Sequence, residues 1–467
     1  MQQGHAPRPA AAHAVPEAGI DSPPSEGYTA RDKAMHVLML CALEVWALPG
    51  SGGAPTLYRT LRAYGERGHR ITYITSTIGA NAYLPGSSLR GARPGPPPEI
   101  PGVTFDRFHL PSLQEARLPP GALLKADQKL RFALLFPRLA ARRAARVLAR
   151  ERVDVLYAYE VHGALAARKL RRRWTLPTVA RFQGTVMHPT LDSPLARLRK
   201  YEEVLALRLP ADLYIMTDDG TRGDDVLARL NPDALPKLRF WRNGLDLKHL
   251  QPATADERAE HRRALDLPAG AFVLLTASRL AAWKRVDRAV AALPSIACEV
   301  PNALLLIVGD GEERERLERQ ARDLGVVDHV RFAGAVAQHE VARHMQAADV
   351  FLAPADLSNV GNPLLEAMSC GLAIVTVDAG DTGALVRDGE TGRLLPSGDP
   401  PGIARAVIEL AQDASLRQRL AEGARRYAEA NFWTWDARLA AEIDEVERLA
   451  GAQTAGRSAV RAGSGGA

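Results

Sequence analysis

The 467-residue chain holds only three cysteines, Cys41, Cys298 and Cys370, far apart and each inside an apolar stretch. That spacing argues against a disulfide framework or a cysteine-built metal site, and the three read as buried, reduced thiols of a cytosolic protein. No apolar run reaches the roughly 18–20 residues that a membrane-spanning helix needs. The nearest approach to a secretion signal, Met35–Leu43, comes after a polar, Pro- and Ala-rich stretch and leads into a glycine loop rather than a cleavage site. It reads as a first β-strand. After that strand the G-x-G-x-x-G spacing of a nicotinamide-nucleotide turn is missing, which disfavours that cofactor. No Asp-x-Asp near a strand end calls for a divalent ion, so neither a cofactor nor a metal is expected.

What is present has ordinary globular proportions. Apolar residues make up 46% and charged residues 24%, and the length suits two or three domains. Residues 1–33 and 451–467 are Ala-, Gly-, Pro- and Ser-rich without periodicity and are expected to be disordered. Gly86–Pro101 reads as a long surface loop. Between the ends, short β-rich runs alternate with helical ones. Strands are expected at Val37–Ala42, Ile71–Ser76, Val153–Ala158, Thr178–Phe182 and Leu213–Thr217. A second set is expected at Val273–Ala277, Ala303–Val308, Val330–Phe332, Val350–Ala353 and Ala373–Val377. Most are near-continuous apolar runs, the pattern of parallel strands covered on both faces. Leu57, Leu61 and Tyr64 recur at helical spacing, and Gly68 stops that helix.

Strand–helix alternation twice over predicts an α/β chain of two doubly wound, Rossmann-like domains facing across a cleft. They are placed at 34–250 and 251–436, with the break near Gln251–His261. A last helix over 437–450 is placed to pack back on the N-terminal domain. Ligands of such sheets bind outside the carboxyl ends of the strands, which puts the site in the cleft.

The net charge of +6 is unevenly spread. Lys125–Arg152 carries nine lysines and arginines against two acids, and Arg168–Arg173 adds five more. Nucleic acid, an anionic membrane or a phosphorylated substrate can each use such a face, and a solvated helix surface accounts for it as well. Phe132, Leu135, Phe136, Leu139 and Leu148 lie among these arginines. The mixture fits peripheral contact with an anionic membrane and a lipid-linked acceptor, with a packed helix as the plain alternative.

Three stretches carry chemistry. In LEVWALPGSGGAPTLYRTL, Gly50, Gly52 and Gly53 let the backbone approach a ligand just ahead of a helix N-terminus. In LLTASRLAAWKRVDRAV, Arg279 and Lys284 follow a strand, where a turn can bring both to its carboxyl end to clamp a diphosphate. An ordinary surface pair reads equally well there. In DVFLAPADLSNVGNPLLEAMSCG, the turn Asn359–Asn362, with Gly361 inside it, is expected to face an anion with its N–H groups. Pro363 suits a first helical position, having no N–H to leave unpaired. Leu364 follows, and Glu366 is expected on the first turn, where its carboxylate can accept from the vicinal hydroxyls of a ribose. Gly52, Gly53, Arg279, Lys284, Asn359, Gly361, Asn362, Leu364 and Glu366 form the candidate site for a nucleotide diphosphate. Glu160 and His162 are the candidates for catalysis, although His162 can simply start a helix and Glu160 can pair with an arginine. Asp218 and Asp219 in MTDDGTRGDD read as helix N-caps.

Over roughly residues 35–450 the chain resembles a retaining glycosyltransferase of family four with the GT-B architecture. GGAPTLYRTLRAYGERGHRITYIT is similar to that family's opening glycine loop, helix and strand entry. KLRFWRNGLDLKHLQP is similar to its Asn-Gly-x-Asp segment at the domain junction, and ASRLAAWKRVD to its diphosphate-binding Arg and Lys. VRFAGAVAQHEVARHMQAADVFLAPA and LLEAMSCGLAIVT are similar to its C-terminal donor-binding part. The resemblance implies a nucleotide-sugar donor in the C-terminal domain, a hydroxyl acceptor in the N-terminal domain, and retention at the anomeric carbon. Nucleic acid is not an expected partner. The chain also departs from the pattern. Of the family's two glutamates only Glu366 is present, with Ser358 at the first position, and Tyr157, Tyr159 and Gln183 stand where members often carry histidine. Two rival activities remain on the same fold: a nucleotide-sugar 2-epimerase, which needs no acceptor, and a non-catalytic binder of nucleotide sugars or polyanions. A cytoplasmic place, peripheral to a membrane, is expected.

Overall fold

The computed structural model describes residues 34–43, 55–77, 95–110, 126–396 and 398–463. Residues 1–33 and 86–94, both expected to lack regular structure, lie outside them. Two sheets organise the chain. The first holds β1 (His36–Leu40), β2 (Arg70–Ser76), β3 (Val103–Phe108), β4 (Val155–Tyr159), β5 (Thr178–Phe182), β6 (Leu213–Thr217) and β7 (Leu238–Trp241), in the order β3-β2-β1-β4-β5-β6-β7. The second holds β8 (Phe272–Ala277), β9 (Ala303–Val308), β10 (Val330–Gly334), β11 (Val350–Ala353), β12 (Ala373–Val377) and β13 (Arg393–Leu395), in the order β10-β9-β8-β11-β12-β13. Strand pairings among the described residues are parallel throughout. With helices between the strands, this is the doubly wound α/β class that the alternation predicts.

The strands β1, β4, β5, β6, β8, β9 and β12 are buried along their whole length, which is why apolar runs mark them. The pattern misses β3, β7 and β13. Each is the edge strand of its sheet and mostly half-exposed. An edge strand has one neighbour and half its surface against water, so VTFDRF, LRFW and RLL need no apolar continuity.

Each sheet reverses its winding once, between β1 and β4 and between β8 and β11. Crevices open at the carboxyl ends of strands at such points. The pairing Leu275↔Phe351 brings the segments after β8 and β11 out of the sheet side by side, and there the Asp356 N–H donates to the Trp283 carbonyl at 3.1 Å.

The final helix, Trp435–Gly463, returns to the first sheet. Its Glu442 is fully buried and accepts the Tyr157 phenol at 2.5 Å and Arg438 Nη1 at 3.1 Å, with Arg181 Nε at 3.6 Å. Arg239 pairs with Glu445 at 2.9 Å, and His69 Nε2 lies 3.0 Å from Glu447 Oε1. The stretch from 451, expected to be disordered, is helical to Gly463. It is Ala-rich and free of proline, and alanine has the highest intrinsic helix propensity.

Two further expectations need correction. Cys298 is exposed, while Cys41 and Cys370 are buried, and all three thiols are free. The segment 251–261, where the domain break is placed, holds the start of a helix, Ala255–Ala264, with a Thr254–Glu257 capping box. The five apolar residues singled out in the basic segment pack on the core, whereas Leu130 and Leu134 of the same segment are exposed. The segment folds as a wide helical turn, Lys129–Leu135, running into the helix Phe136–Arg150. Phe132 and Phe136 are 1% and 0% exposed, and Leu135, Leu139 and Leu148 pack against the same core. Those five side chains therefore face inward and are not available to a membrane. No helix among the described residues is long and apolar enough to cross one.

Candidate functional site

The segment after β8 forms the cationic wall of the cleft. A short turn, Ala282–Lys284, is followed by Arg285 in the left-handed region (φ 53), and the helix Val286–Glu299 starts at once. Asp287 and Asp356 hold the Arg285 guanidinium at 3.1 and 2.9 Å, which stabilises that uncommon backbone. Lys284 is thereby directed inward, with Nζ 4.1 Å from the centroid of the Trp283 ring. Burial lowers its ammonium to about 8, against a raising influence from Asp219 of the other sheet's domain, while Arg279 lowers it further. Among the described residues no carboxylate forms an ion pair with Lys284. Arg279 is more open and sits 3.8 Å from Glu312 in the turn after β9.

The turn after β11 is built differently from the expectation. Asn359 is buried and braces the loop: its Oδ1 accepts the Ala355 N–H at 3.0 Å, and its Nδ2 donates to the Val377 carbonyl at 3.1 Å. The N–H of Asn359 donates to Thr382 Oγ1, that of Val360 to Ser358 Oγ, and that of Gly361 to the Asn359 carbonyl. Three of the four N–H groups expected to face an anion are therefore spent internally. Among the described residues Asn362 alone of the four has its N–H without such an acceptor. Its side chain accepts from Asn243 Nδ2 at 3.3 Å, linking the segment after β7 to this turn. Leu364 is a core residue, 1% exposed, with its N–H on the Gly361 carbonyl. Its side chain packs in the core of the second domain.

Glu366 lies on the second turn, not the first, because the helix begins at Asn362. It is 8% exposed and burial pushes its carboxyl up to about 7, with Arg59 opposing that shift. Arg59 belongs to the helix Pro55–Glu66 of the first domain, so the two domains meet electrostatically at this carboxylate. Among the described residues Glu366 makes no ion pair. Gly52 and Gly53 lie outside the described residues.

Opposite, at the end of β4, Glu160 has a left-handed backbone (φ 61), a strained conformation for a residue with a side chain. Its Oε1 accepts the Gln183 N–H at 2.7 Å. Burial raises its carboxyl to about 7; the Gln183 hydrogen bond and Arg181 hold it down, whereas Glu203 and Asp219 push it up. His162 stands in apolar surroundings, its ring 5.5 Å from that of Phe132, and burial alone lowers it to about 4. It is neutral at pH 7. Tyr157 is tied to Glu442 and Tyr159 to Gln183 Nε2, so both tyrosines are structural.

Asp218 and Asp219 are not helix caps. The helix Gly223–Leu230 starts only after Arg222, itself left-handed at φ 56 and without a side-chain cap. Asp218 pairs with Arg242 at 3.2 Å. The Asp219 carboxylate turns back onto Thr221 and stands within electrostatic reach of Lys284 and Glu160. Its signal in the sequence was its place two residues beyond a strand's carboxyl end, the position at which such sheets bind ligands.

Comparison with known proteins speaks to the family and the fold. The family described as glycosyl transferases group 1 matches residues 257–427, and the glycosyl transferase 4-like domain matches residues 51–223. The chain is 31% identical over 283 residues to the GDP-mannose-dependent alpha-(1-6)-phosphatidylinositol monomannoside mannosyltransferase of Mycolicibacterium smegmatis, covering 59% of this chain and 70% of that one. Of other curated relatives that it matches, the chain spans about half the length, 46% and 56% in two cases. Sucrose-phosphate synthase of Thermosynechococcus elongatus superposes with a TM-score of 0.69 at 20% identity, covering 90% of this chain and 100% of that one. HepE of Anabaena, solved with UDP-glucose, superposes with a TM-score of 0.63 at 21% identity over 90% and 100% of the two chains. At such identities the structural likeness speaks for the fold alone.

Proposed function

The chain belongs to the family-four glycosyltransferases of the two-domain GT-B fold, and from that premise we propose that it moves a sugar from a nucleotide-diphosphate donor to a hydroxyl acceptor, with retention at the anomeric carbon. The observation that carries this reading is Lys284: a half-buried ammonium at the carboxyl end of β8, lowered by desolvation, facing the other domain, and without an ion-pair partner among the described residues. A desolvated cation left in that state is matched by an anion that the substrate brings. In the proposed complex the diphosphate rests against Lys284 and Arg279 and the Asn362 N–H. Glu366 accepts hydrogen bonds from the ribose hydroxyls.

The bond from the anomeric carbon to the diphosphate oxygen breaks as the bond to the acceptor oxygen forms on the same face of the sugar, which keeps the anomeric configuration. The diphosphate leaves with its electron pair, and the two cations stabilise that charge where it develops. The acceptor's proton passes to Glu160, whose carboxyl near 7 suits transfer close to neutral pH. His162, packed against Phe132, supports the helix that follows Glu160 and takes no proton. Retention follows from the family resemblance.

Thermal-shift measurements with UDP-, GDP-, ADP- and dTDP-sugars test the donor class. One of them is expected to raise the melting temperature, and turnover of that donor is expected to require an acceptor. Stabilisation by none, or turnover of the sugar with no acceptor present, would overturn the transferase reading.

The pH dependence follows from the same groups. Glu160 and Glu366 must be ionised, so kcat/KM for the donor rises with pH through about 7. Lys284 must be protonated, so it falls again through about 8. A narrow bell between these limits is expected. A flat profile from pH 6 to 9 would remove these groups from the rate-determining chemistry.

A further inference from the structure

The proposed reaction leaves the carboxylate of Asp219 unused, and the structure fixes that residue from both domains. Asp219 follows β6 by two residues. Its Oδ1 accepts the Thr221 N–H at 3.1 Å and the Thr221 hydroxyl at 2.5 Å. Its Oδ2 fills the place of a side chain at Gly184, in the turn after β5, where a Cβ would come within 2.2 Å of it. Gly184 also has a φ of +110, so glycine meets both demands there.

The main chain of Asp219 is held from the opposite domain. The Ser358 hydroxyl donates to the Asp219 carbonyl at 2.7 Å while accepting the Val360 N–H at 3.0 Å. The Asp381 N–H donates to the Gly220 carbonyl at 3.1 Å, and Arg222 pairs with Asp381 at 2.9 Å. A Cβ on Gly220 would meet Ser358 Oγ at 2.4 Å, which shows how closely the two loops approach. A glutamate at position 358 would be too long for that contact. Serine fits it, so the side chain at 358 is committed to holding Asp219 rather than to a ligand.

Burial pushes the Asp219 carboxyl up to about 6, yet its charge still acts on Lys284 and on Glu160. Among the described residues it forms no ion pair with Lys284, so space separates the three groups. On the glycosyl-transfer reading, the diphosphate lies at Lys284 and the reacting carbon faces Glu160. The ring that carries that carbon then occupies the space that Lys284 and Glu160 share with Asp219.

We propose that Asp219 binds a hydroxyl of the donor sugar, with Ser358 as its positioning residue, and that this carboxylate sets which sugar the enzyme accepts. An ionised carboxylate only accepts hydrogen bonds, and a sugar without a hydroxyl at that place leaves it buried and unpaired. The assignment rests on the glycosyl-transfer reading.

Calorimetric titration of the full chain with UDP, UDP-glucose, GDP and GDP-mannose tests it. Asp219→Asn is expected to weaken binding of the nucleotide sugar by about tenfold or more, the scale of a hydrogen bond to a charged group. Affinity for the parent nucleoside diphosphate should change by less than about twofold, because the diphosphate does not reach Asp219. Equal losses for the two ligands, or no loss for either, overturn the assignment. If Asp219→Asn does not fold, Ser358→Ala decides: it removes only the hydroxyl that pins the carbonyl, and it should shift the same ratio in the same direction by about threefold. A ratio unmoved in that variant overturns the assignment. A wild-type protein that binds none of the four ligands, and no ADP- or dTDP-sugar either, overturns the glycosyl-transfer reading itself. A wild-type protein that binds them, with the ratio unmoved in the variants, overturns only the role of Asp219.

Discussion

Lys284→Ala is expected to lower kcat/KM for the donor by about 100-fold or more and to abolish donor-dependent thermal stabilisation. That scale is typical when a preorganised group aimed at developing charge is removed from a water-excluded site. The effect should separate cleanly from any effect on folding. In the unliganded protein the ammonium is held below its ordinary value by burial, so folding disfavours its charged form. Below the folded value near 8 that charge costs stability, and a lysine whose folded value is lowered gives back none of it until the pH rises past that value. The unliganded variant should therefore melt no lower than the wild type at pH 7. Arg279→Ala should cost less, about tenfold, since Arg279 is partly solvated and shares its charge with Glu312. Donor-dependent stabilisation that persists unchanged in Lys284→Ala would take the lysine out of the site. A fall in the unliganded melting temperature would instead make it structural.

Glu442→Gln should destabilise the protein by about 3–5 kcal/mol, the usual cost of breaking a buried ion pair from one side. Glu442 lies between two guanidiniums that are themselves 1% exposed, Arg181 of β5 and Arg438 of its own helix. The two arginines hold its carboxyl below the usual range despite its burial. Without the carboxylate, two cations remain in a space with no water to solvate them, and the Tyr157 phenol loses a charged acceptor. Glu445→Gln on the same helix breaks a more open pair with Arg239 and should cost no more than about 1 kcal/mol. Chemical unfolding of both variants distinguishes a keystone from a decoration. Equal and small losses would show that the final helix is held by its apolar face alone.

These two residues also mark how far the sequence could be read. Lys284 was legible because a strand's carboxyl end, a short turn and a helix start form a local pattern that a few residues can show. The same holds for the runs that became β5, β6, β9, β11 and β12, whose bounds match the expected ones. Glu442 was not legible. Its partners Tyr157 and Arg181 come from strands far earlier in the chain, and a carboxylate in an amphipathic helix looks like any solvated surface residue until the helix is docked. Phe132 and Phe136 were misjudged for the same reason. Aromatics among arginines fit a membrane face and a core face equally, and only the neighbouring elements decide which side is dry.

The sequence by itself determined the two doubly wound sheets, the cleft at their strand ends and the cations beside it, because apolar runs and turn residues act over a few positions. Only the tertiary structure decided which polar groups would serve as braces and which would be left without a partner among the described residues. Asn359 turned inward to hold a loop, three expected anion-binding N–H groups found acceptors within the chain, and Asp219, read as a helix cap, was brought against Ser358. Charge and hydrogen bonding act through space, and the distances that govern them exist only once the two domains have met.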